Sequence, residues 1–148
     1  MKKLLGMILT LALAAGLAWP VYAESSTVPP EVTAHAYLVM DAQTGQVLVQ
    51  KGGAERNYPA SITKIMTLAL AMEKCGGDMT QQVTVSPDAV YSLEAGSSHV
   101  ALQPGEVVSL NDLFHATILA SANDAANVLA EYTAGSMEAF VELMNAKA

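Results

Sequence analysis

A serine and a lysine one helical turn apart are the first residues of this sequence that could do chemistry together. Ser61 and Lys64 open the run "SITKIMTLALAM", in which Lys64 is the only charged residue. Residues three apart on a helix share a face, so the hydroxyl and the amine can approach hydrogen-bonding distance. Apolar surroundings and the positive end of a helix dipole both lower the pKa of a lysine. A neutral amine beside a serine is a general base beside a nucleophile.

The same two residues also allow a purely structural interpretation, in which Ser61 only caps the helix. A capping box, however, places Glu or Gln at the third helical position, and this sequence has Lys64 there. The spacing alone therefore leaves capping and catalysis both open.

Ser121 and Asn123 form a second polar pair, in the connection "SAND" between two predicted helices. Serine and asparagine in such connections commonly act as caps and turn formers. As a functional pair, the hydroxyl could relay a proton and the amide could orient an acyl-amide substrate.

The elements that must position these side chains begin with a hairpin and an apolar helix. Residues 36–50, "AYLVMDAQTGQVLVQ", predict a β-hairpin around the turn formers "DAQTG". The helix that starts at Ser61 is apolar around its circumference, which predicts that it is buried on all sides, and Gly76 predicts its end.

The second half of the sequence predicts mostly helices, and therefore an α+β fold class. A short strand is expected at "QQVTVS", an irregular segment at "PDAVYSLEAGSS", and a small hairpin at "HVALQPGEVVSL". One helix is expected after the N-cap Ser109, and another through "AANVLAEYTA" to Gly135. A last helix is expected after Ser136, with one apolar face formed by Met137, Phe140, Val141 and Met144.

S-x-x-K followed by S-x-N is the pairing of serine acyl-enzymes of the penicillin-binding and β-lactamase type. From about residue 34 to the last residue, the chain resembles the N-terminal half of a D-alanyl-D-alanine carboxypeptidase, a low-molecular-mass penicillin-binding protein. The resemblance is carried by the blocks "DAQTGQVL", "YPASITKIMT", "LQPGEVVSLNDL", "ILASANDAANVLAEYTAGS" and "AFVELMNAKA". It implies that residues 36–148 are an incomplete transpeptidase-like catalytic domain of the β-lactamase/transpeptidase-like fold. The C-terminal strands of its central sheet would be missing, so the hairpin would expose an unpaired apolar edge.

The resemblance also implies a role for each of the four polar residues. Ser61 would be the nucleophile that attacks the peptide bond between the two terminal D-alanines of a peptidoglycan pentapeptide stem. Lys64 would be its general base, Ser121 would pass the proton toward the leaving D-alanine, and Asn123 would hold the substrate amide. β-Lactam antibiotics would acylate Ser61 as covalent inhibitors. No metal or organic cofactor is implied, and no metal-ligand spacing is formed by the three histidines His35, His99 and His115.

The sequence departs from the family pattern in one respect, because no K-T-G triplet occurs in the 148 residues. In the family, the triplet lies on a strand that recognises the substrate carboxylate and supplies a second oxyanion donor. The loss of one such donor alone can cost about 10²–10³ in rate. We therefore expect the chain, as a gene fragment or a truncated product, to be inactive or impaired as a carboxypeptidase. The alternatives are a non-catalytic penicillin-binding or cell-wall remnant, and a serine β-lactamase. S-A-N at 121–123, where that class has S-D-N, favours the carboxypeptidase.

Residues 1–23 predict a signal peptide, with "MKK" before the apolar run "LLGMILTLALAAGLA" and "VYA" before the cleavage point. That run is shorter than the ~20 residues of a spanning helix. Residues 24–35 are predicted to be a leader, and the rest to be exported to the periplasmic or extracellular, cell-wall side of the cytoplasmic membrane. Contact with the outer face of that membrane would need a C-terminal segment, known from the resemblance, that these residues lack. The net charge of −7 gives no electrostatic footprint for nucleic acid.

Overall fold

The computed structural model describes residues 31–148. The predicted signal peptide, and the predicted leader up to residue 30, lie outside the described residues. The described chain divides into two compact units, one that ends at Arg56 and one that runs from Asn57 to Ala148.

The first unit contains the predicted hairpin, formed by antiparallel strands β1 (Tyr37–Met40) and β2 (Val47–Lys51). Its turn is organised by Asp41, whose carboxylate accepts the amide N–H groups of Gln43 and Thr44 at 3.1 and 2.7 Å. No third strand joins this sheet in the part of the chain that the structure describes. Both strands are therefore edges, and they leave exposed the apolar side chains of Leu38, Val39, Met40, Val47 and Leu48.

The second unit consists of five helices and one small sheet. A 3-10 turn at Ala60–Ile62 leads into α1 (Thr63–Cys75), and strands β3 (Gln82–Thr84) and β4 (Val107–Ser109) form the antiparallel sheet. The other helices are α2 (Pro87–Tyr91), α3 (Leu110–Leu119), α4 (Asn123–Ala134) and α5 (Met137–Lys147).

The helix ends follow local chemistry. The hydroxyls of three N-cap serines accept an amide N–H three residues further on, and these serines are Ser86, Ser109 and Ser136. Helices α1 and α4 end at glycines with positive φ, 60° at Gly76 and 87° at Gly135. These glycines, and the caps Ser109 and Ser136, confirm the positions predicted from the sequence.

The prediction that α1 is buried on all sides is wrong. Ile62 just before the helix is 68% exposed and Ile65 is 62% exposed. The buried side of α1 is a single stripe at helical spacing, formed by Lys64, Thr67, Leu70, Ala71 and Cys75. Lys64 is thus buried because it lies on this stripe, and not because the whole helix is enclosed.

The segment before α3 differs from the predicted small hairpin. β4 pairs with β3, with Val83 opposite Val108, and not with the residues just before Pro104. Those residues cannot form a ladder because Val100 and Leu102 donate their N–H groups to the carboxylate of Asp124. The segment predicted to be irregular contains the short helix α2, which the Ser86 cap starts.

Helix α4 forms the centre of this unit and packs against α1, α2, α3 and α5. Its buried residues are Asp124, Ala125, Val128, Leu129 and Ala130. One core cluster joins α4 to α3 and to the end of β3. Its members include Val85, Leu110 and Leu113. A second cluster joins α1, α4 and α5 through Leu70, Ala130 and Phe140.

Phe140 is the largest side chain of the second cluster. It is 2% exposed and packs with Leu70 of α1 and Ala130 of α4. We expect Phe140→Ala to lower the free energy of unfolding by about 3–5 kcal/mol, because a buried ring is lost and a cavity remains. Leu143→Ala on the same helix is the matched control, and its side chain is 41% exposed. The control should cost about 1 kcal/mol or less. Urea denaturation followed by circular dichroism measures both, and equal losses would contradict the assignment of Phe140 to the core.

Candidate active site

Ser61 lies in the 3-10 turn before α1 and does not cap that helix. The N-cap position is Ile62, and no side chain makes a capping hydrogen bond there. The Ser61 hydroxyl instead accepts a hydrogen bond from Ser121 Oγ at 2.8 Å. The structural interpretation of Ser61 as a cap is therefore wrong, and its hydroxyl is directed to a residue 60 positions away.

Ser121 lies in the connection between α3 and α4, and it is not a cap either. The N-cap of α4 is Ala122, again without a side-chain capping bond. The backbone of Ser121 has φ of 53°, and Ala60, just before Ser61, has φ of 50°. Non-glycine residues in this left-handed region cost of order 1–3 kcal/mol and cluster at functional sites. Strained backbone thus occurs at one of the two bonded serines and directly before the other.

Lys64 is the buried charged residue of the site, with 8% of its surface exposed. Its Nζ donates a hydrogen bond to Asn123 Oδ1 at 2.9 Å. Within residues 31–148 no carboxylate forms an ion pair with it. Burial lowers the pKa of Lys64 from that of an ordinary lysine, because the interior disfavours the ammonium form.

The structure pairs the four predicted residues differently from the sequence expectation. Ser61 is bonded to Ser121, and Lys64 is bonded to Asn123, whereas a direct approach of Ser61 to Lys64 was expected. Ser61 lies in the 3-10 turn Ala60–Ile62, and Lys64 is the second residue of α1. The two pairs nevertheless bring the start of α1 and the start of α4 together.

Asn123 is held in one orientation by the carbonyl of Ser98. That oxygen accepts both the backbone N–H of Asn123 at 2.8 Å and its Nδ2 at 3.0 Å. The side-chain oxygen is then the atom that faces Lys64. Sequence reasoning missed Ser98 because a backbone carbonyl has no sequence signature.

A groove of about 630 Å³ opens beside these residues. Ser61, Lys64 and Asn123 line it together with Glu94 and Ser97. It is also lined by α5, through the apolar face predicted from the sequence, namely Met137, Phe140, Val141 and Met144. A ligand in this groove would contact a hydroxyl, a buried amine and a fixed amide.

The arrangement suits acyl transfer. A hydroxyl hydrogen-bonded by a second hydroxyl, near an amine with a lowered pKa, could serve as an activated serine nucleophile. In the range 31–148, no group of three His, Cys, Asp or Glu side chains converges as metal ligands. No helix among the same residues is long and apolar enough to cross a bilayer.

The sequence of the chain matches one known protein family. The family model described as D-alanyl-D-alanine carboxypeptidase matches residues 23–148. The chain belongs to this family of serine peptidases. The β-lactamase alternative is thereby disfavoured, and the resemblance noted in the sequence is confirmed.

Individual relatives extend the family assignment. The D-alanyl-D-alanine carboxypeptidase DacC of Escherichia coli is 41% identical over 129 residues, which cover 83% of this chain and 32% of DacC. The carboxypeptidase DacF of Bacillus subtilis is 32% identical over 151 residues, which cover 100% of this chain and 39% of DacF. The chain therefore spans about a third of the length of these carboxypeptidases.

Solved structures of penicillin-binding proteins share the fold. Penicillin binding protein 6B from Escherichia coli matches with a TM-score of 0.75 at 37% identity, over 84% of this chain and 41% of that protein. Penicillin binding protein 5 from Haemophilus influenzae matches with a TM-score of 0.71 at 36% identity, over 80% and 36%. The two small sheets and five helices are thus a partial transpeptidase-like fold, as expected from the sequence.

Proposed function

We propose that this chain carries the acyl-enzyme site of a serine-type D-alanyl-D-alanine carboxypeptidase, with Ser61 as the nucleophile. The observation that carries the proposal is the 2.8 Å hydrogen bond from Ser121 Oγ to Ser61 Oγ. A serine that only stabilised a helix would use its hydroxyl at the helix end. Ser61 instead meets a second hydroxyl beside a buried amine.

The placement of the donors and acceptors supports one sequence of proton transfers. Ser61 Oγ attacks the carbonyl carbon between the two terminal D-alanines, and its proton passes to the neutral amine of Lys64. Because Ser61 accepts a hydrogen bond from Ser121, its own proton is free to leave in another direction. Ser121 then delivers its proton to the nitrogen of the departing D-alanine and is reprotonated by the Lys64 ammonium, so the proton taken from Ser61 ends on the leaving amine. Water hydrolyses the Ser61 ester. The Asn123 amide holds the substrate peptide group.

The substrate and location follow from the same assignment. We infer that the substrate is a peptidoglycan pentapeptide stem, because the curated relatives are named for cleavage at D-alanyl-D-alanine. β-Lactams would acylate Ser61 as mimics of that terminus. A peptidoglycan substrate also requires that the chain act on the outer side of the cytoplasmic membrane, which agrees with the signal peptide predicted at residues 1–23.

Two measurements on the chain test the proposal. Fluorescent penicillin is added to the folded chain, the labelled peptide is mapped by mass spectrometry, and D-alanine release from a pentapeptide that ends in D-alanyl-D-alanine is assayed. Label on Ser61 with D-alanine release supports the carboxypeptidase. Label on Ser61 without release supports the penicillin-binding remnant, and rapid loss of label with antibiotic turnover supports a β-lactamase. A folded chain that takes no label contradicts an acyl-enzyme at Ser61.

The pH dependence of acylation provides a further prediction. Lys64 acts as a base only when neutral, so the acylation rate should rise with pH through the pKa of Lys64. Burial lowers that pKa, and the midpoint should therefore lie below the value of about 10.4 for a free lysine. At pH values between the lowered pKa of Lys64 in the folded chain and its pKa in the unfolded chain, the unfolded chain binds more protons than the folded chain. Lys64 therefore makes the free energy of unfolding rise with pH in this range. Single-turnover labelling across that range measures the midpoint, and a midpoint at the free-lysine value would contradict a buried base.

A further inference from the structure

A buried carboxylate follows Asn123 directly in the sequence. Asp124 is 1% exposed, and its carboxylate accepts the N–H of Val100 at 3.2 Å to each oxygen and that of Leu102 at 3.0 Å. A third N–H, from Ala125, reaches the same carboxylate at 2.9 Å. No cation pairs with Asp124 within residues 31–148. A buried carboxylate without a cation depends on such N–H donors, so residues 100–102 are firmly held.

The segment that Asp124 holds also contains the carbonyl that orients Asn123. Ser98 lies two residues before Val100, and its oxygen accepts both the backbone N–H and the Nδ2 of Asn123. Turning the amide over would direct Nδ2 toward the Lys64 amine and Oδ1 toward a carbonyl oxygen. The contact of Oδ1 with the carbonyl would then be unfavourable because two acceptors would face each other, and Nδ2 would meet the donors of a Lys64 ammonium. The position of Ser98 therefore determines which atom of Asn123 faces Lys64.

We propose that Asp124 is a positioning residue that acts through Ser98 and Asn123 to keep the hydrogen-bond acceptor of Lys64 in place. The effect of Asp124 on acylation of Ser61 rests on the function proposed above. The contacts themselves form one continuous series, from the Asp124 carboxylate to the 98–102 segment, from the Ser98 carbonyl to the Asn123 amide, and from Asn123 Oδ1 to Lys64 Nζ.

Asp124→Asn is the variant that interrupts this series with the least change in shape. A carboxamide offers one acceptor oxygen to three N–H groups, and its own NH₂ group would meet donors. Hydrogen exchange at the Val100 and Leu102 amides should rise about tenfold or more. The Lys64 pKa, measured by NMR, should fall further, because the ammonium loses an acceptor. Acylation of Ser61 by fluorescent penicillin should slow by about tenfold to a hundredfold, because the amine is misplaced.

A double-mutant cycle separates positioning from general destabilisation. Asn123→Ala removes the group through which Asp124 is proposed to act. In the Asn123→Ala background, Asp124→Asn should leave the Lys64 pKa unchanged. If Asp124 had only a structural role, its effect on the Lys64 pKa would add to the effect of Asn123→Ala. Asp112→Asn is the matched control, since Asp112 also lies in the first turn of a helix but is exposed and bonded to Ser109 Oγ at 2.7 Å. The control should change neither the Lys64 pKa nor the labelling rate.

The outcomes separate this proposal from the proposed function. Asp124→Ser, whose hydroxyl still accepts one N–H, replaces Asp124→Asn if circular dichroism shows that the latter does not fold. A folded Asp124 variant with the wild-type Lys64 pKa overturns the positioning role, and so do additive effects in the cycle. A wild-type chain that takes no penicillin counts against the proposed function alone, since the Lys64 pKa is measured without acylation.

Discussion

Ser61→Ala is expected to abolish covalent labelling by penicillin, because the only atom proposed to form the acyl bond is removed. The fold should persist, since Ser61 is exposed and makes no capping bond at α1. Ser121 loses its partner, but it is not completely buried and water can take the place of the missing hydroxyl. Labelling of equal protein amounts on a denaturing gel, with circular dichroism of the same samples, gives the result.

The matched control for this variant is Ser92→Ala. Ser92 follows α2 and is exposed, and Asn127 Nδ2, which bonds its hydroxyl at 3.3 Å, keeps a second acceptor in the carbonyl of Ala89. Labelling of Ser92→Ala should equal that of the wild type. Retention of full label in a folded Ser61→Ala chain would mean that another residue is acylated, and Ser61 would no longer be the nucleophile.

Lys64→Met is expected to slow acylation of Ser61 by about 10²–10⁴-fold, the usual contribution of a general base. Methionine is similar in length and apolar, so the buried stripe of α1 remains filled. The free energy of unfolding should fall by no more than about 1 kcal/mol, because one hydrogen bond to Asn123 is lost while the cost of burying an amine disappears. A combination of slow acylation and retained stability would separate catalysis from folding at this position. Stopped-flow labelling and urea denaturation measure the two quantities.

Lys64→Arg distinguishes a base from a positive charge at this position. A guanidinium remains protonated at all accessible pH values. If Lys64 acts as a base, the arginine variant should lose as much activity as Lys64→Met, and its rate should lack the rise with pH. Activity close to wild type in Lys64→Arg would show that charge alone is needed. Lys74→Met, in the exposed last turn of the same helix, is the control and should label normally.

The features that the sequence predicted correctly depend on neighbouring residues. Serine caps and C-terminal glycines act within three or four residues of a helix end, and Ser109, Ser136, Gly76 and Gly135 all lie where such rules place them. The hairpin of β1 and β2 belongs to the same group, because its turn residues bond to one another. The four polar site residues were singled out by their types and spacing, and their catalytic roles stay predictions.

The features that the sequence did not predict depend on distant partners. The pairing of β4 with β3 was missed because Asp124, more than twenty residues away, withdraws the N–H groups of Val100 and Leu102 from any ladder. The partner of Lys64 was missed for the same reason, since Asn123 is 59 residues further along the chain. An acidic residue at the start of α4 is visible in the sequence, but it commonly indicates only a favourable interaction with the helix dipole.

The distance along the chain between Ser61 and Ser121 has a consequence for how the protein acquires its chemistry. Their hydrogen bond closes a loop of 60 residues, and that of Lys64 with Asn123 closes one of 59. Closing such loops costs chain entropy before any contact repays it, so these contacts cannot precede the docking of α1 on α4. A nascent or partly folded chain therefore carries the serine and the lysine without the reactivity. We therefore expect reactivity toward penicillin to begin only after the starts of α1 and α4 have come into contact, so that labelling would report on folding.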